Sequence, residues 1–150
     1  MIRSISVDDF FARPETDGLV EGYTDECAIA GLPRPRLDIE MYKALEEYGP
    51  LQAFAAFDGN EMIGYLFLLL ARNPHYSAII CTIESIYVAK ERRARSGAGL
   101  ALLGRANQVA IDGGAVGLLV SAPAGSAFEA VLEKMDLEKT NQVFFRSFAK

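Results

Sequence analysis

Within eight residues the chain places three arginines, a serine and two glycines: Arg92-Arg93-Ala94-Arg95-Ser96-Gly97-Ala98-Gly99. A β-branched run ending at Val88 leads into this stretch, and an amphipathic run containing Leu100, Leu102 and Leu103 leaves it. The pattern is a buried strand feeding a basic, glycine-containing loop that opens a helix. A helix N-terminus carries unpaired N–H groups and about half a positive charge. Small side chains at Ser96, Gly97, Ala98 and Gly99 let an anion approach those donors, and Arg92, Arg93 and Arg95 add charge beside them. The chemistry this predicts is a phosphate or pyrophosphate cradle.

Two other phosphate loops fit badly. A Walker A loop needs Lys-Ser/Thr after its last glycine, and Gly99 is followed by Leu100-Ala101. A dinucleotide fingerprint starting at Gly97-x-Gly99 needs a small residue at position 102, which is Leu102. A purely solvated charge run is the plain alternative for the arginines, and the adjoining glycines argue against it.

The elements around the loop follow from periodicity and breakers. Ile2–Val7 reads as a first strand, and Asp8 or Asp9 as the cap of a short helix. After Pro14, residues 15–30 read as a helix with Leu19, Val20, Tyr23, Cys27 and Ala30 at apolar positions. Gly31-Leu32-Pro33-Arg34-Pro35 breaks the chain. Asp38 caps a further helix through about Tyr48, with Ile39, Tyr42 and Leu45 on one face. Leu51–Phe57, Met62–Arg72 and Ser77–Val88 are three strands joined by the turns Asp58-Gly59-Asn60-Glu61 and Asn73-Pro74-His75-Tyr76, an antiparallel meander. Ser96–Ile111 reads as a helix with Leu100, Leu103 and Ala110 in the core, ended by Gly113-Gly114. Val116–Ser121 is a short strand, Gly125–Met135 a helix with Phe128, Val131 and Leu132 inward, and Val143–Phe148 a closing strand. The strand–helix–strand unit from 77 to 121 is expected to be parallel with a right-handed crossover. The fold class is α/β of the α+β kind: a mixed, mostly antiparallel central sheet flanked by helices, in the order β-α-α-β-β-β-α-β-α-β, with one further short strand allowed near Glu138.

Composition bounds the reading. The 150 residues make about one domain, and no linker or repeat divides 1–150. With 51% hydrophobic and 10% aromatic residues, a disordered chain is excluded. A net charge of -5 disfavours nucleic acid and anionic membrane as partners. Cys27 and Cys81 with a single histidine are too few for a zinc site, so no metal is expected, and free thiols are the plain reading of the cysteines. The N-terminus lacks a signal pattern, and the apolar stretch at 63–71 is far short of the about 20 residues that span a bilayer. A soluble, cytoplasmic protein is expected.

With the loop and its flanks in view, the chain resembles the GNAT acyltransferase superfamily. That family's motif, R/Q-x-x-G-x-G/A, follows a strand ending hydrophobic-Tyr-Val and precedes a helix with paired leucines. Ile86-Tyr87-Val88, Gly97-Ala98-Gly99 and Leu102-Leu103 match it. Arg93 lies four residues before Gly97 rather than three, and the alternative register uses Arg93, Ser96 and Ala98. The element order agrees over nearly the whole chain, and the Asn-Pro-His-Tyr turn looks most like small stand-alone phage and bacterial members.

The resemblance implies an acetyl-CoA-dependent N-acetyltransferase acting on a primary amine of a small molecule or protein. It implies that the pyrophosphate of acetyl-CoA sits on Arg93, Ala94, Arg95, Ser96, Gly97, Ala98, Gly99 and Leu100. It also implies that backbone groups of Ile86, Tyr87 and Val88 hold the pantetheine, with the Val88 amide facing the oxyanion. Family members often carry an acid upstream on the strand. Glu84 is that candidate base, lying on the same strand face as Ile86 and Val88 if pairing is regular, and His75 is second. The plain alternatives are a solvated strand residue and a turn residue. The acceptor cleft would involve Tyr23, Glu26, Tyr42 and Phe144, and a homodimer would be in keeping with the family. One position departs: the usual general-acid tyrosine of the next helix is Leu132, which leaves Tyr87 or Tyr76 as substitutes. It also keeps open a non-catalytic coenzyme A-binding or interaction module on the same fold.

Overall fold

A computed structural model describes residues 1–148. The elements are β1 (Ile2–Ser4), α1 (Val7–Ala12), α2 (Thr16–Cys27), α3 (Ile39–Glu47), β2 (Leu51–Asp58), β3 (Glu61–Asn73), β4 (Ala78–Val88), a 3-10 turn (Lys90–Arg92), α4 (Arg93–Ser96), α5 (Ala98–Asp112), β5 (Leu118–Leu119) and α6 (Ala127–Leu132). Among the described residues they form one five-stranded sheet in the order β1-β2-β3-β4-β5. The first four strands are antiparallel and β5 joins β4 in parallel. The expected α/β class, the meander and the parallel return are all present.

Helices cover both faces of the sheet, which is why β2 and β3 read as nearly continuous apolar runs instead of strict alternation. On one face α5 packs Leu102, Leu103, Ala106 and Ala110 against Leu66, Leu68, Cys81 and Ile83. On the other, Val7, Phe10 and Leu19 of α1 and α2 meet Tyr65, Phe67 and Tyr87. Phe10 sits 5.0 Å from both the Tyr65 and the Phe67 rings. Gly22 is needed for this fit: a β-carbon there would fall 2.1 Å from the Tyr87 hydroxyl.

Several local expectations are corrected. The cap of α1 is Ser6, whose hydroxyl accepts from the Asp9 amide. Asp8 and Asp9 stand in its first turn, where negative charge suits the helix dipole. Asp38 does cap α3. Leu100 is 62% exposed rather than core, because the buried stripe of α5 runs through Ala98, Leu102, Ala106 and Ala110, one helical turn apart. Val131 of α6 is likewise exposed, while Phe128 and Leu132 pack inward. Ile39 is exposed, and Ala30 lies outside α2.

The closing strand over Val143–Phe148 is absent: these residues join no ladder. A short apolar, aromatic-rich run suits a strand but supplies no partner, and β5 has only two paired residues. Val143, Phe144 and Phe148 face outward, and the segment is fastened where the Ser147 hydroxyl donates to the Gly31 carbonyl at 2.9 Å.

Candidate active site

The loop after β4 forms as its composition dictates. The Ala89 amide bonds to the Ile63 carbonyl at 2.9 Å and closes the strand. The chain then makes the 3-10 turn and the short α4, and reverses at Gly97, whose φ of 62° and ψ of 7° are left-handed. Glycine adopts that conformation without steric cost. The first backbone bond of α5 runs from the Ala101 amide to the Gly97 carbonyl. The amides of Ala98, Gly99 and Leu100 therefore have no partner within the helix. Ala98 donates to the Ser96 hydroxyl at 3.2 Å. Nothing lies within 4 Å of where a β-carbon on Gly97 or Gly99 would sit. A left-handed turn, open amides and free space give this loop the backbone geometry that an anion cradle requires.

The three arginines have separate duties. Arg92 is tied to Asp58 and Glu61 at the β2–β3 turn. Arg93 turns back toward β4: its Nε donates to the Val88 carbonyl at 2.8 Å, a terminal nitrogen pairs with Glu26 at 2.9 Å, and its guanidinium lies 5.0 Å above the Tyr87 ring. Arg95 is exposed. Of the three, Arg95 alone makes no ion pair among the described residues, while Arg92 and Arg95 both line a cavity beside the loop. Arg93 instead fixes the loop to the strand. Arg93→Met should therefore lower stability by about 1–2 kcal/mol, discounting a partly exposed ion pair. Coenzyme A affinity should stay within about threefold. Urea midpoints and a binding isotherm check both values.

The β4 edge facing β5 is open at the same end of the strand. Pairing with β5 covers only Cys81↔Leu118 and Thr82↔Leu119, and among the described residues β4 continues to Val88 with no strand alongside. Because the Ala89 amide points toward β3, the alternation of a strand turns the backbone of Val88 and Ile86 to the open edge. The Val88 carbonyl is taken by Arg93, and its amide is left facing outward.

Glu84 is the extra residue of a β-bulge. Phe67 pairs with Ser85 and Leu68 with Ile83, so Glu84 has no opposite number. A bulge breaks the alternation and re-aims the side chain. Glu84 therefore does not share a face with Ile86 and Val88, as regular pairing would require. Those two belong to the α5 side, while Glu84 faces α3 and accepts from the Tyr42 hydroxyl at 2.8 Å. Its other oxygen accepts from the Ser85 hydroxyl at 2.7 Å. Burial, with the charge of Cys27 and of Glu84 behind it, pushes the Tyr23 phenol up to about 12. Burial, then Glu84, pushes Tyr42 up, and burial does the same to Tyr65. These phenols stay protonated around the carboxylate.

The structure does not bring His75 to this group. It is exposed in the β3–β4 turn, against the Tyr76 ring, at the opposite end of β4. Tyr76 is there too, 68% exposed. Tyr87 is buried between α2 and Arg93. Of the expected cleft residues, Tyr23 and Tyr42 face Glu84, Glu26 is bound to Arg93 and Lys90, and Phe144 is exposed elsewhere. A cavity of about 690 Å³ opens beside the loop, walled by Met1, Phe57, Arg95, Ser96 and Ala98. No residue of β4 lines it, so Glu84 lies outside it. Among the described residues no group of three His, Cys, Asp or Glu could hold a metal. Cys27 and Cys81 are free, and no helix among the described residues is long and apolar enough to cross a membrane.

No protein-family model and no curated protein matches the chain. Solved structures do, and the fold they define is that of the GNAT acetyltransferases. One is a ribosomal-protein-alanine N-acetyltransferase from Brucella melitensis biovar Abortus 2308, with 17% identity, 99% of each chain covered and a TM-score of 0.74. A second is the aminoglycoside acetyltransferase meta-AAC0020 from an uncultured soil metagenomic sample, in complex with sisomicin. It shares 17% identity, covers 99% of this chain and 96% of that one, and has a TM-score of 0.75. A third, AAC(6')-Iy in complex with a coenzyme A bisubstrate analogue, shares 16% identity, covers 100% and 98%, and has a TM-score of 0.73.

Proposed function

We propose that this single domain, residues 1–150, is a cytoplasmic acetyl-CoA-dependent N-acetyltransferase acting on a primary amine of a small molecule or protein. The observation that carries the reading is the junction of two open backbone surfaces. The free amides at the start of α5 lie one short loop away from the unpaired β4 edge at Ile86 and Val88. Residues 94–100 would hold the diphosphate of the donor, with Arg95 as the charged side chain, and the Ile86–Val88 edge would hold its extended arm.

Glu84 is the base in this reading. An alkylamine has a pKa of about 10.4 and arrives as the ammonium. Glu84 takes that proton, directly or through one water, and frees the lone pair to attack the thioester carbonyl carbon. The Val88 amide donates to the developing oxyanion. The C–S bond then breaks, the thiolate leaves, and the second proton shed by the nitrogen passes to that thiolate, directly or through water. With a thiol pKa of about 8.5 it needs little acid help, which suits a site whose usual tyrosine is Leu132. His75 has no part in this chemistry.

The test is heat denaturation with and without acetyl-CoA. Ligand at 100 times its dissociation constant adds about 2.7 kcal/mol to the folded state. No shift at millimolar acetyl-CoA overturns the proposal. A second reading, a coenzyme A-binding module without turnover, rests on Leu132, which is packed inward beside Phe128. Thiol release over a broad amine panel separates the two.

A further inference from the structure

We propose that Tyr42, on α3, is a positioning residue for Glu84: its hydroxyl sets the direction in which the carboxylate meets the acceptor amine. The inference rests on the acetyl-transfer reading and adds to it a residue of the acceptor-side layer. A bulge frees Glu84 from the alternation of β4, so its direction must be set by something else. Two donors do so. Ser85 holds Oε2 from the neighbouring position on the same strand. Tyr42 holds Oε1 from a separate element, across 42 residues of sequence. Each carboxylate oxygen keeps a further lone pair for an ammonium or a bridging water.

Tyr42 is itself held. Its ring packs 5.2 Å from Phe67 and 6.4 Å from Phe11. The helix that carries it has no fully buried residue and is fastened largely by polar bonds. Glu46 accepts from the Val7 amide at 3.0 Å, and Lys43 pairs with Asp8 at 2.7 Å. The base is thereby coupled to a helix anchored at the start of α1. Burial and the Glu84 charge keep the phenol protonated, so it remains a donor at any working pH.

The experiment is a double-mutant cycle on the full chain: wild type, Tyr42→Phe, Glu84→Gln and the pair. Phenylalanine keeps the ring packing and removes only the hydroxyl. Steady-state kinetics should show kcat about tenfold lower in Tyr42→Phe with KM for acetyl-CoA unchanged, and less than about twofold further loss when the same change is made on Glu84→Gln. Urea unfolding of the four proteins gives a readout free of turnover. Tyr42→Phe should raise the unfolding constant about tenfold in wild type and less than about threefold in the Glu84→Gln background, where the acceptor is a neutral amide. Equal kinetic costs in both backgrounds, or no cost in kcat, overturn this inference alone. Additive unfolding constants overturn the tether itself. A wild type that binds acetyl-CoA but turns over no amine overturns the catalytic reading and Tyr42's part with it.

Discussion

Glu84→Gln should lower kcat about a hundredfold or more while leaving coenzyme A affinity unchanged. General-base catalysis by a positioned side chain contributes roughly 10²–10⁴. Glutamine keeps the length and shape of the side chain, and its carbonyl oxygen can still accept from Tyr42 or Ser85, so the bulge keeps its support. What disappears is the capacity to take a proton. The loss should shrink as pH rises toward about 10, because free amine then forms in solution without the enzyme's help. A pH series of kcat/KM for both proteins measures this directly. A variant within about threefold of wild type at neutral pH would place the base elsewhere. A variant that fails to bind coenzyme A would show that Glu84 supports the fold rather than the chemistry.

The legible parts of this site are the parts built within a short stretch of chain. The loop is one strand end, one turn and one helix start, and Gly97 announces its backbone because its left-handed φ suits few other residues. The parts that sequence does not show join distant residues. Arg93 reads as one charge of a basic run from its neighbours in the chain, and no spacing announces its pairing with Glu26, 67 residues away. Regular alternation puts Glu84 on the wrong face, because one unpaired residue in β4 inverts the pattern, and a bulge leaves no mark among the apolar residues. Tyr42 is legible as a cleft residue, but no spacing connects it to Glu84. The final strand is missing for a related reason. Residues 143–148 have the β-branched and aromatic composition of a strand, and whether they join a sheet depends on an edge that composition does not describe.

The separation of the arginines also changes how the loop is to be tested. Reversing Arg93 would do more than remove its contacts, as Arg93→Met does: it would set a negative charge against Glu26 and push the loop from the strand. A weaker ligand would then report a distorted loop as readily as a lost contact. Arg95 carries no such contacts, but one exposed charge is screened by salt and its effect is modest.

Gly99→Asp meets both difficulties. A β-carbon there touches nothing within 4 Å, and the backbone is not left-handed at this position. Aspartate in the first turn of α5 suits the helix dipole, and it replaces the poorest ordinary helix former. Stability should be unchanged or higher by about 0.5 kcal/mol. Binding should respond in the opposite direction. The new carboxylate lies beside the open amides of Gly99 and Leu100, in the space the diphosphate is proposed to fill, and repels it by charge and by occupancy. Coenzyme A affinity should fall about a hundredfold, which is about 2.7 kcal/mol. Gly99→Ala adds a methyl without charge and should cost less than about threefold. Calorimetric titration and urea unfolding on the three proteins separate the two quantities. An aspartate variant that binds as tightly as wild type would put the diphosphate somewhere other than these amides. A stable variant that has lost coenzyme A, beside an alanine variant that keeps it, assigns the cradle to the start of α5.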